Sequence, residues 1–168
     1  SRPPSDAHLV EAGALLACLH ATPTVAGCRV HETQSTAAWR NETDRKLQEI
    51  IAAGGLDEQY GPRIRCALDR LDPQQAMFGL VHADFCGENM VIDRVGRLRV
   101  VDNEWVRIDA LGYDLAYARY RWALPCRAWE RFRSAYATGI SCVESFEALG
   151  FWNIVVLVKS AALRLQMD

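Results

Sequence analysis

The strongest constraint on the fold is a change of periodicity near the middle of the chain. Up to Leu71 the apolar residues recur at three- and four-residue steps. Beyond it, Met77–Val81, Met90–Asp93 and Leu98–Val101 form short apolar runs, rich in Val and Ile near their ends. Runs of this length, bounded by polar clusters, read as strands. Between the first two lies the polar segment His82-Ala83-Asp84-Phe85-Cys86-Gly87-Glu88-Asn89. Asp93-Arg94-Val95-Gly96 reads as the turn of a hairpin joining the last two. Asp102, then Asn103 and Glu104, closes the last run. The pattern predicts an α+β fold, mainly helical, in which a small β element carries the polar loop and helices pack behind it, leaving the loop on a cleft wall.

The flanking segments are helical. Leu9, Ala12, Leu16 and Leu19 mark an amphipathic helix over Asp6–Leu19, with Ser5 as its N-cap. A second helix, about Thr36–Ala53, carries the stripe Trp39, Thr43, Leu47, Ile50 and Ile51 and ends at Gly54-Gly55. A third spans about Asp57–Leu71. After Asp109 helices return over Gly112–Trp122, Pro125–Ala137 and Phe151–Gln166, with Pro125 suited to a first turn. There is no internal repeat. At 168 residues the chain suits a single domain, 1–168.

Composition narrows the function. The net charge of -2 gives no electrostatic case for nucleic acid or an anionic membrane. The longest apolar run, Ile154–Val158, is too short to span a bilayer, and Ser1–Ser5 lacks the apolar core of a signal peptide. Six single cysteines, Cys18, Cys28, Cys66, Cys86, Cys126 and Cys142, form no C-x-x-C pair. Several sit among apolar neighbours, as reduced core cysteines do, which predicts a cytoplasmic protein.

The polar loop carries the chemistry. An Asp and an Asn five positions apart, with a second Asp at the end of the following hairpin, can present one carboxylate to a hydroxyl and two oxygen ligands to a metal ion. Phosphoryl transfer from a nucleotide needs that arrangement. Asp84 would accept the hydroxyl proton, and Asn89 and Asp102 would offer hard oxygens to Mg²⁺. Gly87 is expected to help the loop turn back sharply.

Three segments together resemble the aminoglycoside phosphotransferase family, which includes choline- and homoserine-kinase-like enzymes and has a protein-kinase-like fold. They are His82-Ala83-Asp84 with Asn89, then Val101-Asp102-Asn103-Glu104-Trp105, then Gly112-Tyr113-Asp114-Leu115-Ala116. Leu15–Thr22 is similar to the family segment that opens the C-terminal lobe. The resemblance covers about Leu9 to Leu165. It implies Asp84 as catalytic base, Asn89 and Asp102 as metal and nucleotide-phosphate ligands, His82 as a brace of the loop and Asp114 as a structural acid pinning it. Glu104 has two readings, near the metal or hydrogen-bonded to a neighbouring loop. Ala83 stands where the family has Gly, and strains the backbone if that position takes φ > 0.

The resemblance also implies ATP, Mg²⁺ and a small-molecule hydroxyl substrate. The family's N-terminal lobe, with its phosphate-covering loop and strand lysine, has no counterpart: Lys46 and Lys159 both lie in helical patterns. The expectation is a C-terminal lobe alone, inactive by itself. The competing expectation is a non-catalytic remnant of the same fold whose exposed lobe surface is covered by a homodimer. His20 and His31 read as surface or helix-end residues, and Arg119, Arg121, Arg127, Arg131 and Arg133 as a solvated helix face. Trp122, Trp129 and Trp152 read as core. The direction of the acids Glu130, Glu144 and Glu147 is open.

Overall fold

The computed structural model describes residues 5–24, 27, 35–140 and 144–167. Among them the chain forms α1 (Asp6–His20), α2 (Thr36–Ala52), α3 (Gly61–Leu71), β1 (Phe78–Val81), β2 (Met90–Ile92), β3 (Leu98–Val100), β4 (Arg107–Ala110), α4 (Leu111–Trp122), α5 (Cys126–Gly139), α6 (Glu144–Glu147) and α7 (Leu149–Leu165). The mainly helical α+β expectation holds. His31, Cys28 and Cys142 lie outside the described residues.

Local chemistry sets the helix ends. Ser5 accepts the His8 N–H and Ser35 accepts the Ala38 N–H, each satisfying a donor that the first turn leaves open. After α2, Gly54 takes φ +73°. Its N–H reaches the Ile51 carbonyl, and the Gly55 N–H reaches that of Ile50, both at 2.9 Å. That is a Schellman stop, favoured by Gly because a side chain strains the left-handed turn. The helix expected from Asp57 begins instead as a 3₁₀ turn, Glu58–Tyr60, capped by Asp57, with α3 following.

The β2–β3 hairpin forms in the expected place, with Met90 opposite Val100 and Ile92 opposite Leu98. Asp93 closes it by accepting the N–H groups of Val95 (3.0 Å) and Arg97 (2.9 Å). The strand β4 is a departure from the sequence expectation. It pairs antiparallel with β1, Leu80 opposite Ile108. Arg107 and Asp109 disguise it by breaking the apolar pattern. They pair with each other: Arg107 Nε and Nη2 lie 3.0 and 2.9 Å from Asp109 Oδ2, while Asp109 Oδ1 accepts the Ala110 N–H at 2.8 Å. A fully buried carboxylate is tolerable only with such partners.

Besides two small clusters, Leu47 with Ile50, Val158 and Ala162, and Val81 with Ala83 and Leu111, the helices bury one main core in a fold where α1 packs on α5 and α7 on both α2 and α4. Trp39, Phe85, Phe132, Tyr136, Phe151 and Trp152 are its largest fully buried side chains. Trp129 is buried too, as expected, but Trp122 is only partly so. The cysteine expectation needs correction: Cys86 is buried, whereas Cys18, Cys66 and Cys126 are exposed. Cys18 follows the buried pair Leu16 and Ala17 and so falls on the outer face of α1. Among the described residues no helix is long and apolar enough to cross a membrane.

Candidate active site

The polar loop leaves β1 at Val81 and is fixed at once by α4. Asp114, in the first turn of that helix, accepts the backbone N–H of His82 through Oδ2 (2.8 Å) and that of Ala83 through Oδ1 (2.9 Å). A carboxylate is favoured there by the positive end of the helix dipole. Asp114 Oδ2 also lies 3.1 Å from His20 Nε2, and His20 Nδ1 lies 2.7 Å from the Tyr136 hydroxyl. A carboxylate only accepts, so Nε2 carries the proton in this arrangement. His20 does end α1, but it is buried, not at the surface as its sequence setting suggests. Its burial is explained by these two partners.

Ala83 has φ +65°. The left-handed position in this loop is therefore held by an alanine. Gly87, expected to provide the turn, does not have positive φ. A Cβ there would stand 2.6 Å from Trp122 Nε1, so Gly87 serves the close approach of that indole. Phe85 is driven into the core against Phe132, at 6.2 Å between ring centroids, and its ring meets that of His82 edge-on at 5.9 Å. With Phe85 and Cys86 buried on one side and His82 on the other, Asp84 is left half-exposed.

Asn89 folds the loop back. Its Nδ2 donates to the Asp84 carbonyl (2.9 Å) and to Asp84 Oδ2 (2.8 Å), so Oδ1 is the end of the amide that can accept or ligate. The Asp84 N–H points to His82 Nδ1 at 3.3 Å. The end of β3 is tied to the same point, because the Val101 N–H donates to the Asn89 carbonyl at 2.9 Å. Asp102 follows in a left-handed conformation, φ 62° and ψ 54°, with an exposed side chain that does not cap the 3₁₀ turn Asn103–Trp105. Asp is among the few residues that take this conformation readily. Glu104 is exposed in that turn.

Asp84, Asn89 and Asp102 carry carboxylate and amide oxygens, the hard donors that Mg²⁺ takes. Among the described residues no group of three or more His, Cys, Asp and Glu converges as a closed metal cage. Mg²⁺ keeps waters and phosphate oxygens among its ligands and takes only one or two carboxylates from a protein.

The sequence missed how far α4 runs beneath the loop. Asp114, Tyr117 and Arg121 are spaced three and four residues apart and so share a face. Asp114 holds His82 and Ala83. Burial pushes the Tyr117 phenol up, and the negative charge of Asp84 beside it adds to the shift. Arg121 Nη2 lies 2.9 Å from Glu88 Oε2. Burial likewise raises the Cys86 thiol, against the opposing pull of a backbone hydrogen bond from Asn89. The helical spacing counted from Asp114 was the available signal for Tyr117 and Arg121. The other predicted arginines behave as surface groups: Arg131 pairs with Asp6, Arg133 with Glu130, and Arg119 lies over the Trp129 ring.

Known proteins resemble this chain in sequence and in fold. A homoserine kinase of Methylorubrum populi is 28% identical over 173 residues, covering 99% of this chain and 52% of that protein. The chain spans about half the length of the curated relatives it matches. Among solved structures, an aminoglycoside-3'-phosphotransferase of type VIII superposes with a TM-score of 0.68 at 22% identity, over 92% of this chain and 62% of that one. The choline kinase LicA of Streptococcus pneumoniae gives 0.66 at 15% identity, over 97% and 57%, and LicA has also been solved in complex with AMP. These likenesses show a protein-kinase-like phosphotransferase fold. The model of the phosphotransferase enzyme family matches residues 1–152, and the chain belongs to that family.

Proposed function

We propose that this chain is the catalytic and acceptor-binding lobe of an ATP- and Mg²⁺-dependent small-molecule kinase. The observation that carries the reading is the closure of the loop by Asn89, whose amide bonds both the carbonyl and the carboxylate of Asp84 while its backbone carbonyl receives the Val101 N–H ahead of Asp102. Asp84 orients the acceptor hydroxyl and takes its proton as the new oxygen–phosphorus bond forms. The bond from the γ-phosphorus to its bridging oxygen breaks, and ADP leaves. Asn89 and Asp102 would hold Mg²⁺, which when bound neutralises charge on the phosphate oxygens. His82 braces Asp84, and Asp114 fixes the loop on α4. Glu104 supports the turn behind Asp102 and is not a ligand. The AMP complex of LicA supports a nucleotide in this fold.

The nucleotide's other side belongs, in this reading, to a second lobe. Val91, Ile92, Val95, Val101 and Trp105 are exposed apolar side chains on the hairpin and the turn flanking Asp102. They are suited to being covered by another body. A second copy of the chain could cover the same face. In that case the protein would be a homodimer without nucleotide chemistry.

Phosphate transfer from γ-labelled ATP by the full-length protein, titrated with Mg²⁺, tests the proposal. Asp102→Asn, which keeps an oxygen but removes the charge, is expected to move the Mg²⁺ requirement upward by about tenfold or more, since changing even a partner behind a metal ligand costs about 10–100-fold in affinity. An unchanged Mg²⁺ curve would remove Asp102 from the metal site. A dimer that binds no ATP would replace the kinase reading with the remnant.

A further inference from the structure

Arg121 stands apart from the other arginines near the site. Arg107 is committed to the buried Asp109 through two bonds, and Arg119 lies over the Trp129 ring. Arg121 instead reaches the catalytic loop from α4, among Cys86, Tyr117 and Glu88. Cys86 and Tyr117 are themselves the neighbours of Asp84: Cys86 Sγ lies 4.0 Å from Asp84 Oδ1, and Tyr117 feels the Asp84 charge. Arg121 pairs with Glu88 at 2.9 Å, and the two side chains are 40% and 72% exposed. An ion pair that open to water contributes little and is readily exchanged. The guanidinium is a planar fork built for a carboxylate, and it already holds one.

We propose that Arg121 is a specificity-determining residue that binds a carboxylate on the acceptor, and that Glu88 is the placeholder this carboxylate displaces. The inference rests on the kinase reading and names its substrate class: a small hydroxy acid, with its hydroxyl at Asp84 and its carboxylate at Arg121, the two residues sharing Cys86 and Tyr117 as neighbours. Displacement exchanges one carboxylate for another, so the guanidinium is not left unpaired. Tyr117 feels both Asp84 and Arg121, and its ring is stacked on Tyr113 at 5.9 Å.

The competing role for Arg121 is to anchor the loop through Glu88. The two roles predict opposite results for one variant. If Arg121 only anchors, Glu88→Gln and Arg121→Gln weaken acceptor binding alike. If Glu88 is a placeholder, Glu88→Gln tightens it and Arg121→Gln weakens it.

The test uses the full-length protein with Arg side chains labelled with ¹⁵N, the Arg121 Nε–H signal being assigned by its loss in Arg121→Gln. The probes are L-homoserine, L-serine and glycerate, each with its carboxamide. The expected result is that at least one carboxylate shifts the signal and its carboxamide does not. Arg121→Gln should weaken that probe by about 10–100-fold, the worth of a hydrogen bond to a charged group. Glu88→Gln should strengthen it several-fold. Equal response to acid and amide, no response to any acid, or weaker binding in Glu88→Gln would overturn the proposal. This readout needs no turnover. Failure of phosphate transfer with the carboxylate response intact would therefore count against the kinase reading alone.

Discussion

Asp114 Oδ1 accepts the N–H of Ala83 at 2.9 Å, and Ala83 sits at φ +65°. A fully buried carboxylate thus holds in place the one residue of the loop whose backbone conformation costs energy. The same carboxylate binds the His82 N–H and His20, so three buried groups depend on it. Asp114→Ala should destabilise the protein by about 3–5 kcal/mol, because it leaves buried donors without an acceptor. Urea unfolding of the variant checks this. A loss under about 1 kcal/mol would mean that the loop is held by other contacts.

Ala83 should respond to substitution in a fixed order. A left-handed alanine costs roughly 1–2 kcal/mol, while glycine gives back part of that gain through its greater unfolded-state entropy. Ala83→Gly should therefore raise stability by about 0.5 kcal/mol. Ala83→Val should lower it by about 2 kcal/mol or more, since branching at Cβ worsens the same clash and the site is nearly buried. Denaturation midpoints in the order Gly, Ala, Val check the account, and a glycine variant weaker than the parent contradicts it.

Asp93 gives a pH signature to the hairpin. The Arg97 N–H first, then the Arg99 guanidinium and the Val95 N–H, hold its carboxyl below the usual 3.8. The folded value lies below the unfolded one. The contribution of these bonds is therefore complete above the ordinary Asp range and fades as pH falls through the depressed value. Carboxyl NMR of Asp93 should show a midpoint below 3.8. The amides of Val95 and Arg97 should lose exchange protection over the same acid window. A midpoint at or above the ordinary value would show that the turn does not use the charge.

Cys86 should be the slowest of the four described cysteines to alkylate. It is buried and its thiol is raised, whereas Cys18, Cys66 and Cys126 are exposed. Reactivity follows the thiolate fraction and access, and Cys86 is poor in both. Peptide mass spectrometry after limited iodoacetamide treatment near neutral pH provides the comparison. Preferential labelling of Cys86 would mean that the loop opens more than its buried Phe85 allows.

Much of this was legible in the residues. The helical stripes, the Ser5 cap and the Gly54 stop are local signals, and they set α1 and α2. The hairpin was legible because Asp93–Gly96 carries turn chemistry between two apolar runs. What escaped has one cause: partners far apart in the chain. β4 hid because Arg107 and Asp109 neutralise each other inside the fold. His20 looked like a surface group because its two partners, Asp114 and Tyr136, lie 94 and 116 residues away. Gly87 was given the wrong job because Trp122, which needs the space, comes from the far end of α4. The phosphotransferase fold was readable from three short segments. The union of Tyr117 and Arg121 with the loop needed the helix itself.

The central claim is that Asp84 is the base that takes the acceptor proton. The most direct measurement is single-turnover phosphate transfer by the full-length Asp84→Ala variant, run alongside its affinity for ATP and Mg²⁺. The account predicts a fall in the transfer rate of about 10²–10⁴-fold with nucleotide affinity within a few-fold of the parent. Transfer at the parental rate, with the variant folded and nucleotide bound, would contradict it.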